Sequence, residues 1–366
     1  MIRFAWLQAR TQTAVAVAVL VIAAMLAAIT GPRLLHFYDA YVATCSASND
    51  CPSVTTTFLS SYRLMQISLP PVLLAAPALI GAFWGAPLVA RELETGTFRV
   101  AWTQSVTRQR WLAVRLALSG LAAMAVAGLL SLILTWWFSP IDRVQLNRLT
   151  PAMFGVRGIT PIGYAAFGFA LGVTAGALIR RTIPAMAATV VAFTATRLAV
   201  AYYVTPNLIP PLRVASPFVA PTGTGPAPIP GAGVVKPGDL VLSDQVINGA
   251  GRVIGQNGGI GPNGAFGVQV THGTVSLPGG AGTCPNKFPL SGLGGPAGAI
   301  RGGGSPSAGF DAAIQDCVNR LGIRELVTYQ PLSRYWALQW YETLLFAGLA
   351  VALAGLCFWR VRRSLS

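Results

Sequence analysis

The sequence predicts an all-α integral membrane protein with six transmembrane helices, both termini in the cytoplasm, and a large Gly/Pro-rich extracytoplasmic loop between helices 5 and 6. Only 10% of the residues are charged and the mean hydropathy is +0.58, whereas soluble domains carry about 25% charged residues. Six apolar runs are also long enough to cross a hydrocarbon core of about 30 Å as helices. We therefore expect residues 1–205 to hold five spans, 206–334 to form the outer loop, and 335–366 to hold the sixth span and a cytoplasmic tail.

The first span follows a short segment, residues 1–12, that we expect to be an interfacial helix. Arg3 and Arg10 would lie two turns apart on one side of it, with Trp6 near the lipid boundary. The apolar run behind it is long and ends in a poor cleavage site, so we expect an uncleaved span rather than a signal peptide. The expected spans are 13–31, 67–90, 116–138, 161–179, 182–204 and 335–359.

The second span is unusual because it contains four prolines. Neighbouring helices can satisfy the carbonyls that proline leaves free, so it is either one bent packing helix or a hinge that transmits motion from Glu92 and Glu94. A short polar loop is expected at 139–160. The fourth span is rich in Gly and Ala, which let helices approach closely. The four prolines are Pro70, Pro71, Pro77 and Pro87.

Orientation is expected from arginine, because Lys and Arg near the ends of spans are retained on the cytoplasmic side. With the N-terminus inside, twelve arginines lie in cytoplasmic segments and five in the two shorter outer loops. The loop 206–334 does not enter this comparison, since long segments cross largely regardless of charge. The balance predicts that both termini and residues 91–115 are cytoplasmic.

Residues 206–334 differ in composition from the rest of the chain. Between 221 and 310 the sequence holds 25 glycines in 90 residues and few large apolar side chains. Such a stretch buries too little surface to offset its ordering entropy, so we expect a loosely structured loop. Within 308–327, Phe310, Ile314 and Leu321 recur at helical spacing and predict a short amphipathic helix.

The chain has five cysteines. Four lie in segments expected outside the cell, and Cys357 lies within the sixth span. An oxidising exterior favours disulfides, and proximity in sequence favours Cys45–Cys51 and Cys284–Cys317, with other connectivities left open. No Cys-x-x-Cys is present and there are only two histidines, so no metal site is predicted.

Two charged residues lie inside expected spans. Arg197 is in the outer third of the fifth span and Glu342 is near the outer end of the sixth. Arg197 either extends its side chain to the outer interface, or faces a translocation path or pairs with Glu342. Glu342 could equally be a simple interfacial carboxylate.

Motifs for catalysis and nucleotide binding are missing from the sequence. There is no Gly-x-x-x-x-Gly-Lys-Ser/Thr, and the Gly-x-Gly-x-x-Gly at 259–264 lies in a Gly-rich run with no expected strand before it or helix after it. The basic residues lie at the ends of apolar runs and not in aromatic-interleaved patches, which argues against a nucleic-acid partner. We predict no catalytic residue and no cofactor in this chain.

The polar stretch 91–97, Arg-Glu-Leu-Glu-Thr-Gly-Thr, follows directly on the second apolar run and opens a basic segment that ends at Arg115. On a helix Glu92 and Glu94 would diverge, so only one need face a partner while the other pairs with Arg91 or Arg99. Gly96 and Thr97 would then end or redirect the helix. Taken alone, the segment could also be a solvated loop that sets topology.

This stretch and the following 102–111, Trp-Thr-Gln-Ser-Val-Thr-Arg-Gln-Arg-Trp, resemble the membrane subunit of type-2 ABC exporters, in which Glu-x-Glu-x-Gly-Thr follows the second span. Residues 329–336 resemble the approach to the last span in actinobacterial members, and the N-terminal segment is similar to the family's connecting helix. The Gly-rich part of the last loop departs from the general pattern, in which short external helices occupy that loop.

The resemblance implies a permease that forms a homo- or heterodimer in the lipid membrane and binds two copies of a separate cytoplasmic ATPase. ATP and Mg²⁺ would be bound by that partner, and the substrate of the exporter would be hydrophobic or amphipathic. The expected ATPase-coupling residues are Arg91, Glu92, Glu94, Gly96, Thr97, Arg99, Gln104, Arg108, Arg110 and Trp111.

Two other classes of function stay open. The chain could be a membrane-anchored accessory or sensor protein that acts through its extracytoplasmic loop, with the spans as an anchor. A membrane enzyme is disfavoured, because no polar catalytic cluster is visible in the sequence.

Overall fold

The computed structural model describes residues 2–42, 51–95, 108–145, 148–218, 231, 233–256, 269–271, 274–276, 283–285, 315–316 and 319–364. The chain divides into two compact units. The first unit comprises Met1–Ile209 and Arg334–Ser366, and the second unit comprises Pro210–Ser333.

The first unit is helical. Among the described residues, six helical stretches are long and apolar enough to cross a membrane, so the prediction of six spans is confirmed at that level. In order, the first to sixth spans are Thr13–Val42, Arg63–Arg91, Leu116–Val144, Thr160–Ile179, Thr182–Asn207 and Leu332–Trp359. The α-helices are Ile2–Phe37, Cys51–Ser61, Arg63–Ile80, Ala86–Thr95, Arg108–Gln145, Pro151–Phe154, Thr160–Ile179, Thr182–Ala199 and Tyr335–Ser364.

The second span is interrupted within its length. Its first helix, which contains Pro70, Pro71 and Pro77, ends at Ile80, and a π-helical turn at Gly81–Gly85 leads into the helix Ala86–Thr95. Because proline has no N–H to donate, the hydrogen-bond ladder is weakened just before this turn. The predicted bend of the second span therefore lies at Gly81–Gly85. A hinge role for this turn stays a proposal.

The structure changes the prediction for two segments, residues 2–12 and residues 139–160. Residues 2–12 belong to the same continuous helix as the first span, and their side chains are outside the described part. The predicted polar loop 139–160 is wrong as a loop, because the third-span helix runs on to Gln145 and a short helix follows at Pro151–Phe154. Asp142 and Arg157 are each only 2% exposed, so this connection is packed into the unit.

The second and fourth spans cross at a contact made by glycines. A Cβ at Gly168 would lie 2.5 Å from the carbonyl oxygen of Pro77, and one at Gly85 would lie 2.5 Å from that of Phe169. At Gly81 and Gly172 the opposing backbone is closer still. Small residues spaced four apart let helix backbones meet in this way, so the fourth span packs against both sides of the π-helical turn.

The second unit contains β-structure. A four-stranded antiparallel sheet has the order β1-β7-β2-β3, and a three-stranded sheet has the order β4-β5-β6. On the inner face of the larger sheet, Val235, Val327 and Tyr329 form an apolar cluster. The strands β1 to β7 are Leu212–Pro217, Leu240–Ile247, Val253–Gln256, Gln269–Thr271, Thr274–Ser276, Thr283–Pro285 and Arg324–Gln330.

These strands correct the prediction of an all-α chain with a loosely structured outer loop. The glycine content was counted over the whole of 221–310, and this average concealed two strands, Leu240–Ile247 and Val253–Gln256. The predicted helix at 308–327 is also wrong at its end, where Arg324–Gln330 is the strand at the centre of the sheet. Buried and more exposed residues alternate there, with Glu325, Val327 and Tyr329 on the buried face, a pattern typical of strands.

Candidate functional site

The described structure covers part of the predicted coupling segment. Arg91, Glu92 and Glu94 lie in the last turns of the helix Ala86–Thr95. Gly96, Thr97, Arg99 and Gln104 lie outside the described residues. Arg108, Arg110 and Trp111 lie in the first turn of the helix Arg108–Gln145, with side chains outside the described part. The segment therefore joins two helices, and Glu94 is its acidic side chain whose contacts are described.

Glu94 binds the beginning of the fifth span. The Thr182 hydroxyl donates to Glu94 Oε2 at 2.7 Å, and the Thr182 backbone N–H donates to the same oxygen at 3.3 Å. The residue preceding this helix, Arg181, makes no side-chain cap of its own. A helix N-terminus has free N–H groups and a partial positive charge, so the carboxylate caps a helix 88 residues away in the sequence.

The same contacts affect the ionisation of Glu94. The Thr182 hydroxyl, then the Thr182 N–H, lower the pKa of Glu94 from its ordinary value, and the charge of Arg181 acts in the same direction. Glu94 is thus an ionised group that ties the predicted coupling segment to the fifth span. This contact differs from the predicted ones, in which Glu94 faces a partner or pairs with Arg91 or Arg99.

At the opposite end of the bundle, Arg197 and Glu342 lie together inside the unit. Arg197 Nη1 is 3.6 Å from Glu342 Oε1, and the two residues are 7% and 0% exposed. Tyr164 donates its hydroxyl proton to Glu342 Oε1, and the Thr205 hydroxyl donates to Glu342 Oε2 at 2.7 Å. The guanidinium also stacks on the Tyr164 ring, with 4.6 Å from Cζ to the ring centroid. We name Tyr164, Arg197, Thr205 and Glu342 the polar lock, since it joins the fourth, fifth and sixth spans.

The polar lock has room for the guanidinium because a neighbouring residue lacks a side chain. A Cβ at Gly155 would collide with Arg197 Nη2 and lie 2.9 Å from Leu74 Cδ2. Arg197 Nη2 donates to the Pro151 carbonyl at 3.4 Å, whereas Arg197 Nε has no hydrogen-bond partner among the described residues. The Arg197 guanidinium therefore has hydrogen-bonding capacity that the described residues do not use.

A second set of buried polar contacts holds the beginning of the fourth span. Gln339 is fully buried, and its Oε1 accepts from the N–H groups of Ile159 and Thr160 at 3.0 Å each. Its Nε2 donates to the Phe154 carbonyl at 3.1 Å. Gln339 thus caps the fourth-span helix from the sixth span, as Glu94 caps the fifth from the second.

Close by, one buried carboxylate holds two arginines. Arg157 Nη1 donates to Asp142 Oδ1, and Arg148 Nε donates to Asp142 Oδ2 at 3.0 Å. Arg157 is also stacked on Phe138, with 4.2 Å from Cζ to the ring centroid. This cluster fixes the connection between the third and fourth spans and is structural in character.

The sequence indicated a possible pair of Arg197 and Glu342, but it predicted no role for Tyr164, Thr205, Gly155 or Gln339. Gln339 and Tyr164 could have been found, because a polar side chain within an apolar run signals a buried contact. The contact of Glu94 with Thr182 had no such signal, since an acidic residue at a membrane face has many uses. For the predicted disulfides, Cys45 and Cys317 lie outside the described residues, and only the backbone of Cys51 and Cys284 is described.

The six candidate spans with polar side chains buried between them define a multi-pass membrane protein. A family model described as ABC-2 membrane transporter related matches residues 17–205, just over half of the chain. The chain belongs to this family and is an ABC transporter permease, a membrane subunit rather than an enzyme. The predicted membership of the type-2 ABC permease family is thereby confirmed. Comparison with curated proteins gave no match, and comparison with solved structures gave none either.

Proposed function

We propose that this permease is the membrane subunit of an exporter for a hydrophobic or amphipathic substrate. Two copies of a separate cytoplasmic ATPase bind ATP and Mg²⁺ and hydrolyse the ATP. Two permease protomers form the functional dimer. The N- and C-termini and the segment 91–115 face the cytoplasm, where the ATPase can reach them. The substrate class and the direction of transport rest on the resemblance of residues 91–111 to type-2 exporters.

The observation that carries this proposal is the contact of Glu94 with Thr182. It attaches the segment that would meet the ATPase to the first residue of the fifth-span helix. A displacement of residues 91–95 is therefore passed directly to the fifth span. Such a link is what a subunit needs if hydrolysis in a partner is to move its spans.

The polar lock extends the link through the bundle. The fifth span carries Arg197, which holds Glu342 on the sixth span and Tyr164 on the fourth. Burial of Tyr164, Arg197 and Glu342 within one chain favours a role in moving three spans together over a role in lining a substrate path. The π-helical turn at Gly81–Gly85 is the point at which the second span can bend while its last helix follows the ATPase.

The test is co-purification with ATPases encoded beside the gene, comparing wild type, Glu92→Gln and Glu94→Gln. We expect Glu92→Gln to weaken ATPase binding, and Glu94→Gln to retain binding while lowering substrate-stimulated ATP turnover. Asp316→Asn is the matched control, because its carboxylate is exposed and pairs with Arg320 in the second unit. Failure of every candidate ATPase to bind the folded wild-type protein would remove the proposal's main support.

The sheet in residues 210–333 favours a second candidate function, an accessory or sensor protein that acts through this unit. β1 and β7 are paired from Leu212↔Tyr329 to Pro217↔Arg324, so an Asn-Gly turn joining Pro217 to Arg324 can replace 218–323 as a hairpin. An exporter should keep ATPase binding and turnover after this replacement. A sensor should lose its activity.

A further inference from the structure

The inner face of the four-stranded sheet carries three buried polar side chains. Ser216 on β1 lies opposite Glu325 on β7, and Glu325 lies opposite Val246 on β2. Asp244 is two residues before Val246, so it points to the same face, diagonally across from Glu325. Ser216, Glu325 and Asp244 are 2%, 5% and 7% exposed.

Most of the oxygen atoms in this cluster lack a donor. Within the described part of the chain, Ser216 Oγ and both carboxylate oxygens of Asp244 have no hydrogen-bond partner. Glu325 Oε2 accepts from the Gly231 N–H at 2.8 Å. Among the described ion pairs none includes Asp244. Two neighbouring carboxyl groups are thus buried without a described countercharge for Asp244, an arrangement that demands a bound positive charge.

Either of two positive species, a proton or a metal ion, could neutralise the two carboxyl groups. Burial and the adjacent Glu325 raise the pKa of Asp244 to about 8, so a proton can bridge the two carboxyl groups when nothing else is bound. One proton, however, supplies one hydrogen bond. It leaves the second Asp244 oxygen and Ser216 Oγ unsatisfied, whereas a cation between them would engage all three side chains.

We propose that Ser216, Asp244 and Glu325 form a binding site for a hard divalent cation, Ca²⁺ by preference. Two carboxylates balance its charge, and all side-chain donors are oxygens, which suit Ca²⁺ and not Zn²⁺. Ca²⁺ takes six to eight oxygens in flexible geometry, so water and backbone carbonyls complete the shell. Mg²⁺ demands near-ideal octahedral geometry, which side chains standing on three twisted strands are poorly suited to give.

The cation would act as a structural clamp. Its ligands come from β1, β7 and β2, three adjacent strands, and Glu325 also holds Gly231. The second unit is rich in glycine and its apolar inner cluster is small, so a bound ion replaces the core that the composition cannot supply. This site is independent of the proposed transport function.

The experiment uses the purified full-length protein in detergent, stripped with chelator and titrated with Ca²⁺, Mg²⁺ or Zn²⁺ alone at constant pH. Calorimetric binding and thermal unfolding are recorded for wild type, Asp244→Asn, Ser216→Ala and the control Asp316→Asn. We expect one Ca²⁺ per chain and a rise in Tm in wild type and in Asp316→Asn. Asp244→Asn should weaken binding by about tenfold or more and lose the rise in Tm.

The variants also separate ion binding from misfolding. Asp244→Asn keeps the shape of the side chain but cannot carry a negative charge, so its ion-free form should fold and should unfold at a temperature no lower than ion-free wild type. Ser216→Ala removes a neutral ligand and should bind Ca²⁺ more weakly than wild type without loss of folding. Equal Ca²⁺ affinity in wild type and both variants, or no saturable binding in wild type, would overturn the proposal.

Discussion

At the scale of single residues, Arg197 and Glu342 depend on each other. Both are buried, so removing one partner leaves an uncompensated charge in an apolar surrounding. We expect Glu342→Ala to destabilise the protein by about 3–5 kcal/mol, measured as denaturant unfolding in detergent micelles. The double variant Arg197→Met/Glu342→Ala should recover part of this loss. If the losses measured for Glu342→Ala and for Arg197→Met alone add up in the double variant, the pair is not coupled.

Gln339 is a second residue whose role is local and testable. Its amide satisfies two N–H groups and one carbonyl at the start of the fourth span. Gln339→Leu keeps the approximate volume but leaves these groups unpaired, at a cost of about 1–3 kcal/mol for each buried group. In Gln339→Glu, burial favours the protonated carboxyl group, whose carbonyl oxygen can accept both N–H hydrogen bonds and whose O–H can donate to the Phe154 carbonyl, so this variant should be less harmful. Unfolding free energies that rank the two variants in the opposite order would contradict this capping role.

The contact of Glu94 with Thr182 predicts a pH dependence. The folded-state pKa of Glu94 is below its ordinary 4.5, so its contribution to stability is complete above that pH and is lost as the pH falls through the folded-state pKa. Thr182→Val removes the largest cause of the shift. We expect the Tm difference between wild type and Thr182→Val to be largest at pH 7 and to narrow as the pH falls below 4.5. A difference independent of pH would rule out the ionised cap.

Some of these contacts could be predicted from the sequence and others could not. Arg197 and Glu342 were predicted as unusual because a charge inside an apolar run is visible locally. Their partners Tyr164 and Thr205 were not, since only packing of three spans brings them together. The contact of Glu94 with Thr182 joins positions 88 apart, and no local pattern specifies which helix a carboxylate will cap.

At the scale of elements, the crossing of the second and fourth spans predicts a contrast between glycines. A Cβ at Gly172 would collide with the second-span backbone, whereas one at Gly348 in the sixth span meets nothing within 4 Å. We expect Gly172→Ala to destabilise by about 1–3 kcal/mol through overpacking. Gly348→Ala should be neutral or gain up to about 1 kcal/mol from helix propensity. Thermal unfolding measures both, and equal effects would mean that the close crossing is not needed.

The helices and strands also differ in how well the sequence predicts them. The six spans were predicted because length and apolarity are properties of one continuous stretch. The sheet was missed because β1, β2 and β7 are far apart in the chain and each is short. Averaging glycine over 90 residues hid Leu240–Ile247, whose alternation is local but weak.

For the whole molecule, the two units differ in the physical basis of their stability. The first unit needs a hydrocarbon surrounding, and its helix contacts rely on small residues and a few buried polar groups. The second unit has a modest apolar cluster and, under our proposal, a cation. Removing Ca²⁺ should therefore lower the thermal stability of the second unit and leave the helical content of the first unchanged. Circular dichroism separates the two, since helix and strand signals differ.

The proposed orientation can be tested without introducing a reporter, because both lysines of the chain, Lys236 and Lys287, lie in residues 206–334. Lys236 is exposed. With both termini in the cytoplasm, an amine-reactive label that cannot cross membranes should modify the protein on intact cells. The variant Lys236→Arg/Lys287→Arg should stay unlabelled, since the only other amine, at the N-terminus, would be inside. Labelling of this variant on intact cells, or of wild type only after the membrane is opened, would place the N-terminus outside and reverse the arginine-based assignment.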